Sequence, residues 1–159
     1  MSRLEEQIEI SVPRVDVFKY CHDLSRWTAW DEQVTHVELL SPKPIRRGTL
    51  LRMDANIGSG SVFSWDCEIA EYQMPQGSKV RLLDVASSSP IAKGSEISLE
   101  LNTIGNGTQV ILTWNYKPHG IIATILDRLG RRAALRRGIR RSLDNLKSQL
   151  ESGQRATIT

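Results

Sequence analysis

RLGRRAALRRGIRRSLDNLK, residues 128–147, carries seven arginines and one lysine against a single aspartate. Whether this run grips a polyanion or closes a core decides the fold. On a helical wheel at about 100° per residue, Ile121, Ile125, Ile139, Leu143, Leu146 and Leu150 fall within about 40° of one direction, with Leu129 and Leu135 flanking them. From Ile121 onward the pattern predicts an amphipathic helix of about thirty residues whose apolar stripe needs a surface to pack on. Arg131, Arg137, Arg140 and Arg141 project away from the stripe and read as its solvated back, whereas Arg128, Arg132 and Arg136 project inside it. Burying an unpaired guanidinium costs several kcal/mol. These three must therefore snorkel, sit where Gly130 and Gly138 distort the helix, or meet a cavity or an acidic partner. Arg132 is expected to reach a cavity between helix and sheet and to hold the polar group of a ligand.

The basic character is local. Residues 1–120 hold twelve Lys/Arg against fifteen Asp/Glu, residues 121–151 hold eight against three, and the 159-residue chain ends at a net charge of +3. The aromatic residues lie mostly on strands that face inward and are not interleaved with the cations. That arrangement argues against nucleic acid as a partner, and likewise against an anionic membrane surface. MSRLEEQIEISV is too charged for a signal peptide, and no apolar run approaches the length of a bilayer span. The expectation is a cytoplasmic protein with no integral membrane segment. Cys21 and Cys67 stand far apart without a Cys or His at ligand spacing, and read as buried reduced thiols. No metal spacing, P-loop, dinucleotide glycine fingerprint or Ser/His/Asp set is evident, so no cofactor is expected.

Upstream of the helix the chain alternates. Leu4, Ile8, Ile10 and Val12 point one way in a strand over residues 4–12. After Pro13, a short helix carries Val15, Phe18 and Cys21 on one side, and a second over 23–33 brings Trp27 and Trp30. Strands follow at 33–40 and 48–55, then a glycine-rich turn, NIGSGS, at 56–61. In 62–72, Phe63, Trp65, Cys67 and Ile69 share a face, with Ser64, Asp66 and Glu68 opposite. Strand 79–87 has apolar residues at both parities, which leaves its inward face open. Ile97, Leu99 and Leu101 point together in 96–102, as do Val110, Leu112, Trp114 and Tyr116 in 108–116. Strands joined by short turns imply a meandering antiparallel sheet with one wet face. With one long helix to cover the other face, the class is a two-layer α+β domain.

This order of elements resembles the SRPBCC superfamily, the helix-grip fold of START lipid-transfer domains, the birch-pollen allergen group and polyketide cyclase/dehydrase-like proteins. The VF…DLSRWTAWDEQV segment, the turn from Glu71 to Gly77, and GNGTQVILTWNY with its Pro-Gly exit carry the resemblance. It covers residues 3–151 as a single domain, leaving 152–159 as a disordered tail. The resemblance implies a curved seven-stranded antiparallel sheet gripping the C-terminal helix, with two short helices after the first strand and a deep cavity for apolar or amphipathic molecules. Facing that cavity would be Phe63, Trp65, Cys67, Leu99, Leu112 and Trp114, with Ile125, Leu129 and Arg132 from the helix and Trp30 near one end.

Two functions follow as expectations. The first is binding of a small hydrophobic ligand such as a lipid, a quinone or an aromatic polyketide-like molecule, by a monomer or weak homodimer. The alternative is a cyclase/dehydratase-type enzyme, which needs a general acid or base in the cavity. Asp84, if its strand faces inward, and Tyr116 or His119 are its candidates. His22, His36 and His119 otherwise read as surface residues at element ends or on outer faces.

Overall fold

The computed structural model describes residues 2–57 and 61–158, with side chains through residue 153. Seven strands form one antiparallel sheet: β1 (Ser2–Ile10), β2 (Val34–Leu39), β3 (Leu50–Ala55), β4 (Phe63–Gln73), β5 (Gly77–Val85), β6 (Glu96–Ile104) and β7 (Gly107–Tyr116). Their spatial order is β1-β7-β6-β5-β4-β3-β2. β1 and β2 are consecutive in the chain yet lie at opposite edges, and helices α1 (Arg14–Cys21) and α2 (Leu24–Trp30) cross between them. The sheet curls into a half-barrel around the C-terminal helical segment, the α+β architecture that the alternation and the resemblance imply.

Where a strand keeps one parity, the expected face is the buried one. Trp65, Cys67 and Ile69 of β4 are buried, as are Leu99 and Leu101 of β6 and Val110, Leu112, Trp114 and Tyr116 of β7. β5 is ambiguous in sequence because it is bulged. Leu82 pairs with Cys67 but Asp84 with Asp66, so Leu83 is an extra residue. Before the bulge Val80 and Leu82 face in; after it Val85, opposite Trp65, takes the inner place, and Leu83 and Asp84 stand outside. The turn glycine and serine at 58–60 lie outside the described residues. In α1 the buried line is Val17, Phe18 and Cys21; Val17, one turn before Cys21, takes the place expected of Val15, which is exposed.

The C-terminal helix departs most from expectation. It is not one rod but α3 (Gly120–Leu126), a π-helical turn (Asp127–Arg131), and α4 (Arg132–Ile158). Gly130 in the turn has φ 139°, a conformation glycine alone adopts without strain. A π-helical turn takes more residues than an α-turn, so the phase of the apolar stripe is lost across it. Beyond the kink the stripe is as read: Leu135, Ile139, Leu143, Leu146 and Leu150 are buried in the concave face of the sheet. Before it, Ile121, Ile125 and Leu129 are exposed instead of buried. The backbone of α4 stays helical to Ile158, through the segment that reads as a frayed tail, and Thr159 lies outside the described residues.

Of the arginines inside the stripe, Arg136 has an acidic partner. Glu6 shares the inner parity of Leu4 and Ile8 on β1, and its carboxylate lies 3.4 Å from Arg136 Nε and 3.1 Å from Arg140 Nε.

Candidate functional site at the helix kink

The sheet residues proposed to face a cavity are brought together, but as a packed wall. Trp65 and Trp114 meet edge to face at 6.2 Å, and Trp65 Nε1 donates to Ser89 Oγ at 3.0 Å. Cys67, Leu99, Leu112 and Trp30 belong to the same buried cluster, and Phe63, near the start of β4, is half-buried. Trp30 Nε1 is buried without a hydrogen-bond partner among the described residues. Burial pushes the Cys67 thiol up to about 12 and the Cys21 thiol higher still, so neither is a nucleophile at neutral pH. Ile125 and Leu129 do not approach this wall; they stand in solvent on the far side of the kink.

Open space lies at the kink itself. A cleft of about 730 Å³ there is lined by Ser2, Thr124, Asp127, Arg128, Arg132 and Arg136 among others. Arg132 is thus placed at an opening, as expected, with its Nη2 donating to the Arg3 carbonyl at 2.6 Å. At the edge of the cleft the inner face of β7 ends in Tyr116, whose hydroxyl donates to Asp127 Oδ1 at 2.6 Å, with both residues buried. Burial, and then the bond to the Asp127 carboxylate, push the Tyr116 phenol up to about 12, with the Arg132 guanidinium pulling the other way. The phenol therefore keeps its proton at any physiological pH and acts as a donor.

Asp127 was not singled out from sequence. The signal that pointed to it was its isolation, since it is the one acid between Lys117 and Arg141. The other acid-base candidates fall away from the cleft. Asp84 is exposed because the β5 bulge turns it outward. His119 is exposed, with its Nδ1 3.0 Å from the Ser89 carbonyl oxygen. His22 is not a surface residue. It is buried at the end of α1, stacked on Phe18 at 4.1 Å, with Nδ1 2.7 Å from the Phe18 carbonyl oxygen and Nε2 2.7 Å from Ser78 Oγ. Burial lowers its pKa despite the Phe18 carbonyl.

A second buried polar cluster ties α2 to α4. Asp31 accepts from Trp27 Nε1 at 3.2 Å and from the Gln33 N–H at 3.3 Å. Ser142 Oγ lies between the Glu32 N–H and the Gln33 side-chain oxygen, at 2.8 and 2.9 Å. This cluster is apart from the cleft lining and holds the helix in place. Among the described residues, no group of three His, Cys, Asp or Glu side chains is arranged to hold a metal ion.

A curled antiparallel sheet gripping a helix, with a cleft at one end of that helix, defines a helix-grip protein. The chain belongs to the polyketide cyclase/dehydrase and lipid transport family, which matches residues 1–151. Among solved structures it is similar to the Zhui aromatase/cyclase of Streptomyces, with TM-score 0.79 and 15% identity over 94% of this chain and 93% of that one. A START superfamily protein of Mycobacterium smegmatis aligns with TM-score 0.72 and 12% identity over 94% and 97%. A Thermus thermophilus protein aligns with TM-score 0.78 and 18% identity over 96% and 99%. At such identities these likenesses establish the fold. Among curated proteins, none matches the sequence.

Proposed function

We propose that this chain binds a small hydrophobic or amphipathic molecule between its sheet and its C-terminal helix, with the kink as the mouth. The observation that carries the reading is the cleft of about 730 Å³, cationic along its wall and bounded by the buried Tyr116–Asp127 pair. That volume is in the range of small-molecule sites. Its arginines favour a guest with a carboxylate, phosphate or phenolate end, and Arg132 is the side chain assigned to that end. The apolar remainder is assigned to Trp65, Cys67, Leu99, Leu112 and Trp114, with Phe63 and Trp30 at the margins. Reaching them requires α3, with Ile125 and Leu129, to swing about Gly130. Lipids, quinones and aromatic polyketides are the classes that combine such ends, and the family's description couples cyclase chemistry with lipid transport.

Native mass spectrometry of copurifying molecules, followed by displacement of an anilinonaphthalene sulfonate probe, tests the proposal. Members of at least one class should displace the probe. Arg132→Leu should weaken an anionic displacer by at least about tenfold, the worth of one charge-assisted hydrogen bond. Failure of all three classes overturns the reading, and an unchanged affinity in Arg132→Leu removes that residue from it.

One observation favours the enzyme alternative, the Tyr116–Asp127 pair beside the cleft. A phenol held protonated can donate to a developing enolate or oxyanion, as dehydration or ring closure of a polyketide requires. Under that reading Tyr116→Phe abolishes turnover of a poly-β-keto thioester surrogate while probe affinity stays within about twofold.

A further inference from the structure

α3 turns its apolar side to solvent. Ile121 and Ile122 are 81% and 76% exposed, Leu129 in the following turn is 76% exposed, and Ile125 and Leu126 are about half-exposed. Within α3, Ile121, Ile125, Ile122 and Leu126 span an arc of about 140°, opposite the buried Ala123. Single exposed apolar side chains are ordinary on a soluble protein, but a contiguous set of five marks an interaction surface.

The charges around it indicate what that surface meets. From Lys117 to Arg141 there are seven arginines and one lysine, and the one acid, Asp127, is buried against Tyr116. Glu6 engages Arg136 and Arg140, and Glu32 engages Arg141. Among the described residues, Arg128, Arg131 and Arg137 have no carboxylate within ion-pair reach.

We infer that α3 and the turn after it form an interfacial anchor that docks the protein on an anionic lipid bilayer. The isoleucines and leucines enter the boundary between headgroups and acyl chains, and the unpaired arginines meet lipid phosphates. A second copy of this chain is the poorer occupant, because two-fold packing through the same face sets these arginines against each other. The anchor lies on the bilayer rather than across it: α3 has seven residues, and no helix among the described residues is long and apolar enough to cross. The inference does not depend on what the cleft holds. It does place the cleft, which α3 and the turn help to line through Thr124, Asp127 and Arg128, against the lipid surface.

Sedimentation of the full chain with vesicles tests it. Partition onto phosphatidylcholine containing about one-third phosphatidylglycerol should exceed that onto phosphatidylcholine alone by at least about tenfold and fall as salt is raised. Ile122→Ser with Ile125→Ser should lower that partition at least about tenfold while leaving the melting temperature unchanged, because both side chains are largely in water. Arg131→Glu should lower it at least about fivefold, and decides the matter alone if the double variant does not fold. Absence of partition onto either vesicle overturns the inference, as does partition that ignores all three substitutions. A concentration-dependent dimer, broken by the double variant in a chain that ignores vesicles, assigns the face to a second copy and overturns it too.

Discussion

Gly138→Ala is the substitution that tests most directly how α4 is seated. Gly138 is buried, and a Cβ placed on it would lie 1.9 Å from Gln33 Nε2 and 3.2 Å from Gln33 Cδ. The amide cannot simply swing aside. Gln33 is 4% exposed, its side-chain oxygen accepts from Ser142 Oγ at 2.9 Å, and its N–H is committed to Asp31. On an open helix the change would gain about 1 kcal/mol of helix propensity. Here overpacking costs about 1–3 kcal/mol, and displacing Gln33 leaves a buried polar group unsatisfied, at about another 1–3 kcal/mol. The net expectation is a loss of about 2 kcal/mol, or about 4–8 °C in Tm for a chain of this size. Urea denaturation followed by tryptophan fluorescence and circular dichroism measures it. In a Gln33→Ala background the new methyl meets open space, so Gly138→Ala should there be neutral or stabilising by up to about 1 kcal/mol, a coupling of about 2–3 kcal/mol. An equal cost with and without the Gln33 side chain would refute the claim that this glycine exists to admit it.

Two further outcomes follow from the buried and half-buried charges. Burial pushes the Asp31 carboxyl up to about 6 against the hydrogen bonds from Trp27, Gln33 and Ser142, so the folded chain holds this proton more tightly than the unfolded one. Its contribution to stability is therefore fully present below about pH 4 and is lost, by about 3 kcal/mol, as pH rises to about 6 and beyond. Asp31→Asn should remove that slope, so that unfolding free energies measured at pH 4 and pH 7 shift in the variant's favour by about 2–3 kcal/mol between the two. His22, held below its usual range by burial, has the opposite sign, present above about pH 6.5 and lost in acid; the wild-type-minus-variant difference cancels it. A difference that is flat with pH counts against the Asp31 reading. Glu6→Ala leaves Arg136 and Arg140 without their carboxylate, but their side chains are 45% and 61% exposed and water takes over, so urea denaturation should show a loss of no more than about 1 kcal/mol. A loss above about 3 kcal/mol would mean the pair is desolvated in a way its exposure does not suggest.

How far the sequence was legible depends on whether a local period held. β4, β6 and β7 keep one parity along their inner faces, and Trp65, Leu99, Leu112 and Trp114 were read correctly as inward; the same rule put Asp66 and Glu68 outside, where they pair with Arg52 and Arg81. β5 resisted because the extra residue Leu83 reverses parity halfway, a feature that needs the partner strand to be seen. The C-terminal helix failed in the same manner at a larger scale. A wheel carries its phase forward indefinitely, and the π-helical turn at Asp127–Arg131 resets it, so Leu135 to Leu150 were placed correctly and Ile121, Ile125 and Leu129 were not. Gly130 was noted as a possible distortion, but a glycine in a helical pattern does not state which way the chain turns. The site inherits this. Tyr116 and Asp127 are eleven residues apart on different elements, and only the kink brings the carboxylate back over the end of β7. On a straight helix the isoleucines before the kink would be core, and nothing would remain to meet a membrane. Both the cleft and the exposed apolar face therefore arise from one backbone feature, and Gly130, whose φ no other residue adopts comfortably, is where they arise.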